Sequence, residues 1–93
     1  MQKEPCPALF RRPVIDMEAT GRNIARLRRA VGLRVRDVQE VFGFSTPQAI
    51  YKWQHGEALP TLDNLLLLSR LLKASVEEII VYTVGEGKER ETE

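Results

Sequence analysis

Apolar residues recur at helical spacing through most of the chain. Ile24, Leu27 and Val31 are spaced three and four apart, which predicts a first helix. Thr20 is its expected cap and Gly32 its expected stop. A second helix is predicted over 35 to 42, with Val35, Val38, Val41 and Phe42 inward and Gly43 closing it. Thr46 as cap and Pro47 at the first helical position open a third helix, where a missing N–H does no harm. Its large apolar residues, Ile50 and Trp53, are three apart and point inward, Gly56 stops it, and Pro60 prevents continuation. Thr61 caps a fourth helix reaching about Leu72, with Leu62, Leu65, Leu68 and Leu72 as its core stripe. Ser75 and Glu78 have the spacing of a capping box and open a short fifth helix.

The ends break this pattern. Residues 1 to 15 hold three of the five prolines and no helical period, with "PVI" at 13 to 15 as a possible short strand. Residues 79 to 84, "IIVYTV", are β-branched and aromatic, so the fifth helix gives way to an extended segment. The expected organisation is all-α: an extended N-terminal arm at 1–17, a compact five-helix domain at 18–84, and a disordered acidic tail at 85–93.

With 93 residues and 43% hydrophobic content, the chain can build one small core. The run "LLLL" at 65 to 68 is too short to span a bilayer, and "MQKEPCPALFRRP" lacks the apolar stretch of a signal peptide. A cytoplasmic protein is expected. Cys6 is the single cysteine and His55 the single histidine, and neither has metal ligands at the usual spacing. No cofactor or metal is expected. There is no nucleophile–base pair either, so an enzyme is not expected.

Charge changes the picture more. Residues 1 to 36 carry nine basic and three acidic side chains, a net of +6, while the remainder has five basic and ten acidic groups, a net of −5. A basic first third suits a polyanion.

The order of elements, with a glycine-containing turn between the second and third helices, is that of a helix-turn-helix domain. The stretch "GRNIARLRRAVGLRVRDVQEVFGFSTPQAIYKWQHGEALPTLDNLLLLSRLLKASVEEII" resembles the phage-repressor/Cro type of helix-turn-helix, the XRE family, from about Thr20 to Ile80. The shared features are the Ile24/Leu27/Arg28 pattern, Gly32–Leu33, Gly43, Ile50, Gly56 with Pro60, Leu62/Leu65/Leu68 and a capped final helix. The resemblance implies a lambda-repressor-like fold and sequence-specific binding to double-stranded DNA, as a dimer and a repressor-like transcriptional regulator. It also implies that the third helix, about 47–54, enters the major groove.

With Ile50 and Trp53 inward, Gln48, Ala49, Tyr51, Lys52 and His55 fall on the other faces, and Gln48 and Lys52 share one. Gln48 suits adenine, Lys52 guanine, Ala49 a thymine methyl, and Tyr51 a base or a phosphate. Arg22, Arg34, Arg36, Thr46 and His55 are the expected phosphate contacts, and Arg11 and Arg12 could form a basic arm. Five positions depart from the family pattern. The turn before Ile50 is one residue longer. Gln39 stands where alanine is usual, at the helix crossing. Val35 replaces a phosphate-holding glutamine, leaving that task to Arg34 or Arg36. Gln54 replaces a glutamate that pairs with the arginine matching Arg28, so a neutral hydrogen bond to Arg28 is expected instead. Glu57 places a negative charge after the reading helix.

Leu67 and Leu71 lie off the core stripe. With Val81, Tyr82 and Val84 they form either a homodimer interface or a cover for the chain's own N-terminal segment. "PVI" and "VYTV" can pair as strands within one chain or between two. The alternative function is an antitoxin-like module that grips a partner protein through this C-terminal apolar patch.

Overall fold

The computed structural model describes residues 11–84. The elements run β1 (Pro13–Ile15), α1 (Met17–Ala30), α2 (Val35–Phe42), α3 (Gln48–Gln54), α4 (Leu62–Leu72), α5 (Val76–Ile79) and β2 (Tyr82–Val84). All five helices expected from the apolar spacing are present. The strands pair antiparallel within the one chain, Pro13 opposite Val84, Val14 opposite Thr83 and Ile15 opposite Tyr82. The expected tail at 85–93, Cys6 and the first ten residues of the arm lie outside the described residues.

α1 begins earlier than expected, and Thr20 is not its cap. Asp16 takes that role, its carboxylate accepting from the Ala19 amide at 3.0 Å. Thr20 is fully buried, and its hydroxyl donates to the Val81 carbonyl at 3.3 Å and accepts from the Val81 amide at 2.9 Å. The Asp16 amide also donates to the Val81 carbonyl, at 2.8 Å, and the Asn23 carboxamide donates to the carbonyls of Glu78 and Ile79 at 2.7 and 3.0 Å. Asp16, Thr20 and Asn23 are spaced four and three apart, so they share one face of α1. That face supplies polar partners for the backbone where α5 ends and the chain returns towards β1.

The core is built from Ile24, Val38, Ile50, Trp53, Leu65, Leu68, Leu72, Ala74 and Ile79, with Leu27, Val31, Val35 and Phe42 packed around it. Two residues expected inward are exposed: Val41 at 49% and Leu62 at 79%. On a helix turning about 100° per residue, Leu62 lies about 90° from the centre of the Leu65/Leu68/Leu72 arc, and Val41 lies about 90° from the centre of the Val35/Val38/Phe42 arc. The capping box at Ser75 forms as expected, Ser75 Oγ accepting from the Glu78 amide at 3.1 Å and the Glu78 carboxylate from the Ser75 amide at 2.8 Å.

α1 and α3 pack at Gly21. A Cβ there would overlap the carbonyl oxygens of Trp53 and Gln54, so only glycine allows this approach. Gly56, at φ 75°, ends α3 in the left-handed region and sits against the backbone of Met17 and Glu18. This crossing sets the arginines of α1 beside the C-terminal end of α3.

Candidate nucleic-acid interface

The turn between α2 and α3 is held from both sides. Gly43, at φ 72°, ends α2 in the left-handed region. The Phe44 amide then donates to the Gln39 carbonyl at 3.1 Å, and the Gln39 carboxamide donates to the Phe44 carbonyl at 3.1 Å. Gln39 thus ties down the backbone of the turn through both its carbonyl and its side chain. Phe42, Phe44 and Trp53 form an aromatic cluster with ring centroids 5.3 to 5.9 Å apart. The indole, expected to point inward, meets these two rings edge-on. α3 starts one residue later than expected: Pro47 is the cap residue, its carbonyl accepting from the Tyr51 amide at 3.1 Å. Thr46 Oγ1 accepts a long bond, 3.4 Å, from the Gln48 amide.

Ile50 and Trp53 are buried, which turns the rest of α3 outward. Gln48, Tyr51, Lys52 and His55 are all exposed and line one shallow hollow with Glu57. Tyr51 and His55 stack, centroids 6.1 Å apart and planes 24° from parallel. His55 Nδ1 is 4.0 Å from the Glu57 carboxylate, so the acidic group lies at the edge of this face. Ala49 is half-buried and packs partly on the core.

The C-terminal end of α3 is fixed to α1. Arg28 donates from Nε to Gln54 Oε1 at 3.0 Å and from Nη1 to the Leu33 carbonyl at 2.7 Å. This is the bond expected from the Gln54 substitution. Beside it, Arg22, Ala25, Arg29, Gln54 and His55 line a second hollow of about 350 Å³. Arg29 is not among the expected contacts. Its signal was the seven-residue spacing from Arg22, two turns along one helix face.

The expected phosphate contacts at the start of α2 differ from each other. The Asp37 carboxylate accepts from the Arg34 amide at 2.8 Å and from its guanidinium at 3.2 Å. The Arg34 side-chain bond, more than any other cause, holds the Asp37 carboxyl below the usual carboxylate range. Arg34 is therefore engaged with Asp37 at the start of α2, whereas the Arg36 side chain is exposed and makes no hydrogen bond to the described residues. Arg11 and Arg12 are exposed and precede β1.

Of the apolar residues singled out for an interface, Leu67 is 37% exposed, Leu71 is half-buried against the core, and Val81 is half-buried with its backbone tied to α1. Tyr82 is exposed, and its hydroxyl donates to the Glu77 carboxylate at 3.1 Å, which raises the phenol above its ordinary pKa. Leu62 and Leu66, four apart on α4, are more exposed than either predicted leucine. None of the described helices is long and apolar enough to cross a membrane.

The HTH_3 family model, described as helix-turn-helix, matches residues 24–79. Comparison with curated protein sequences gives no match. Among solved structures, the crystal structure of the DNA-binding domain of BldD is similar, with a TM-score of 0.60 at 20% identity, over 70% of this chain and 93% of that one. At that identity the likeness speaks to the fold, and it agrees with the element order found here. The family match spans well over half of the chain and includes the held turn and the outward face of α3, so the chain belongs to the HTH_3 helix-turn-helix family, the XRE type of DNA-binding protein.

Proposed function

We propose that the protein is a sequence-specific DNA-binding regulator whose α3 reads the major groove. The observation that carries this is the face formed by Gln48, Tyr51, Lys52 and His55, which projects from a helix whose start and end are both pinned to the bundle. Gln48 and Lys52 offer the donors and acceptor that discriminate base edges, and their backbone is held without their participation. Arg22, which shares a hollow with His55, and Arg36, exposed near the start of α2, offer positive charge suited to phosphate. The similarity to a domain described as DNA-binding supports the same reading. The role requires positioned donors and no bond-breaking chemistry.

We also propose that the protein acts as a homodimer. Leu62 and Leu66, four apart on one face of α4, and Val14, Ile15, Tyr82 and Val84 of the small sheet are exposed apolar side chains that a second copy could cover. A two-fold dimer presents two copies of α3 to half-sites about one helical turn, 34 Å, apart. Selection of bound duplexes from a random pool tests both parts. The expected result is an enriched inverted repeat with half-site centres about 10 base pairs apart. Enrichment of no sequence would refute specific reading, and enrichment of a single unrepeated site would refute the two-fold dimer.

A further inference from the structure

We propose that Arg22, Arg29, Gln54 and His55 form a seat for one backbone phosphate, separate from the face that meets the bases. The proposal rests on the DNA-binding reading above and adds to it a ligand subsite, a new residue and a role for Gln54.

The hollow that these residues line holds about 350 Å³ and lies between α1 and the end of α3. Arg22, Ala25 and Arg29 are three and four apart, so one face of α1 forms one wall. Ala25, short and buried, leaves the space between the two arginines open. From α3 come Gln54 and His55. Arg28 fixes which end of the Gln54 carboxamide faces it. A guanidinium only donates hydrogen bonds, so the oxygen must meet Arg28, as its 3.0 Å contact requires. The amide NH2 is the end that remains for the hollow. The lining thus offers two guanidinium groups, a carboxamide donor and an imidazole, with no carboxylate among its residues. Two acids lie nearby: Glu57 borders His55 on the side of the reading face, and Glu18, one turn before Arg22 on α1, has its backbone against Gly56. A small anion rich in acceptor oxygens complements this set, and a phosphodiester is of that class.

Position decides which phosphate. His55 lines both this hollow and the one formed by Gln48, Tyr51 and Lys52. A strand whose bases meet Gln48 and Lys52 therefore carries its backbone past His55 towards Arg29. The seat contributes to affinity for any sequence and sets how far along the groove α3 lies.

The test uses the full chain with a selected duplex and a scrambled one across a salt series. Arg29→Gln removes one charge from an exposed position, and Gln54→Glu keeps a partner for Arg28 while placing an anion in the seat. Arg29→Gln should weaken both duplexes by the same factor and reduce the slope of log affinity against log salt by about 0.9. Gln54→Glu should weaken both duplexes without lowering the melting temperature. One neutral methylphosphonate per half-site should weaken the wild type by a larger factor than it weakens Arg29→Gln, and equal factors would overturn the seat. If the wild type binds the selected duplex while both variants keep its affinity and slope, the seat is refuted and the DNA reading stands. If the wild type prefers no duplex, that reading fails and inorganic phosphate decides the seat by NMR. Shifts of the Gln54 side-chain NH2 and the Arg22 Nε signals that shrink in Arg29→Gln would uphold a free-anion seat. Unmoved signals would overturn it.

Discussion

Arg28 and Gln54, on α1 and α3, are joined by a 3.0 Å hydrogen bond from the guanidinium Nε to the carboxamide oxygen. The same guanidinium reaches the Leu33 carbonyl at 2.7 Å, so one side chain ties the end of α3 to the loop that follows α1. Half-buried bonds from a charged donor contribute about 1.5–3 kcal/mol each. Arg28→Ala should lower the urea-unfolding free energy by about that amount or more. Arg28→Lys should recover little, because an ammonium lacks the planar fork that serves both partners. Full recovery by lysine would show that charge alone matters there.

Gly21 tests the helix crossing. Gly21→Ala places a methyl group against the backbone carbonyls of Trp53 and Gln54, which cannot swing aside as side chains do. Overpacking of this kind costs about 1–3 kcal/mol. That outweighs the gain of up to about 1 kcal/mol expected for replacing glycine in a helix. Thermal unfolding should show a lower melting temperature, and an unchanged or raised one would mean that the two helices pack less closely.

The first three helices are legible because each has both an apolar period and a glycine stop, at Gly32, Gly43 and Gly56, while the fourth shows by its leucine period and the fifth by its capping box. Trp53 was legible for the same reason, and it is 5% exposed. What was not legible depends on contacts between distant residues. Thr20 looks like a cap in sequence, yet its hydroxyl meets Val81, 61 positions away. Gly21 carries no local sign of its role, which is set by carbonyls of α3. Leu62 and Val41 fit a loose period but fall outside the buried arc once the axis is fixed. On the candidate interface, the outward residues of α3 followed from placing Ile50 and Trp53 inward. Arg29 joins them only through the packing of α1 beside α3, which the sequence does not display.

Asp37 gives a pH dependence. Its carboxyl sits below the ordinary range, chiefly through the bond from the Arg34 side chain. The folded state therefore releases this proton more readily than the unfolded chain does. The resulting stability is present above the ordinary carboxylate range and is lost as the pH falls through the lowered value. Asp63, lowered mainly by its bond from Thr61, acts in the same direction. Asp37→Asn should reduce the melting temperature slightly at neutral pH, and the gap to wild type should close in acid. A gap that widens in acid would reverse this assignment.

The most direct measurement compares binding of the wild type, Gln48→Ala and Lys52→Ala to the selected duplex and to a scrambled one, over a salt series. Both side chains belong to the exposed face of α3, and neither is needed to hold that helix in place. Each substitution should cost about 1–3 kcal/mol on the selected duplex and much less on the scrambled one, so that the ratio of the two affinities falls. Arg36→Ala should instead weaken both duplexes alike and leave that ratio intact. If Gln48→Ala and Lys52→Ala both leave the ratio unchanged, this face of α3 does not read the bases.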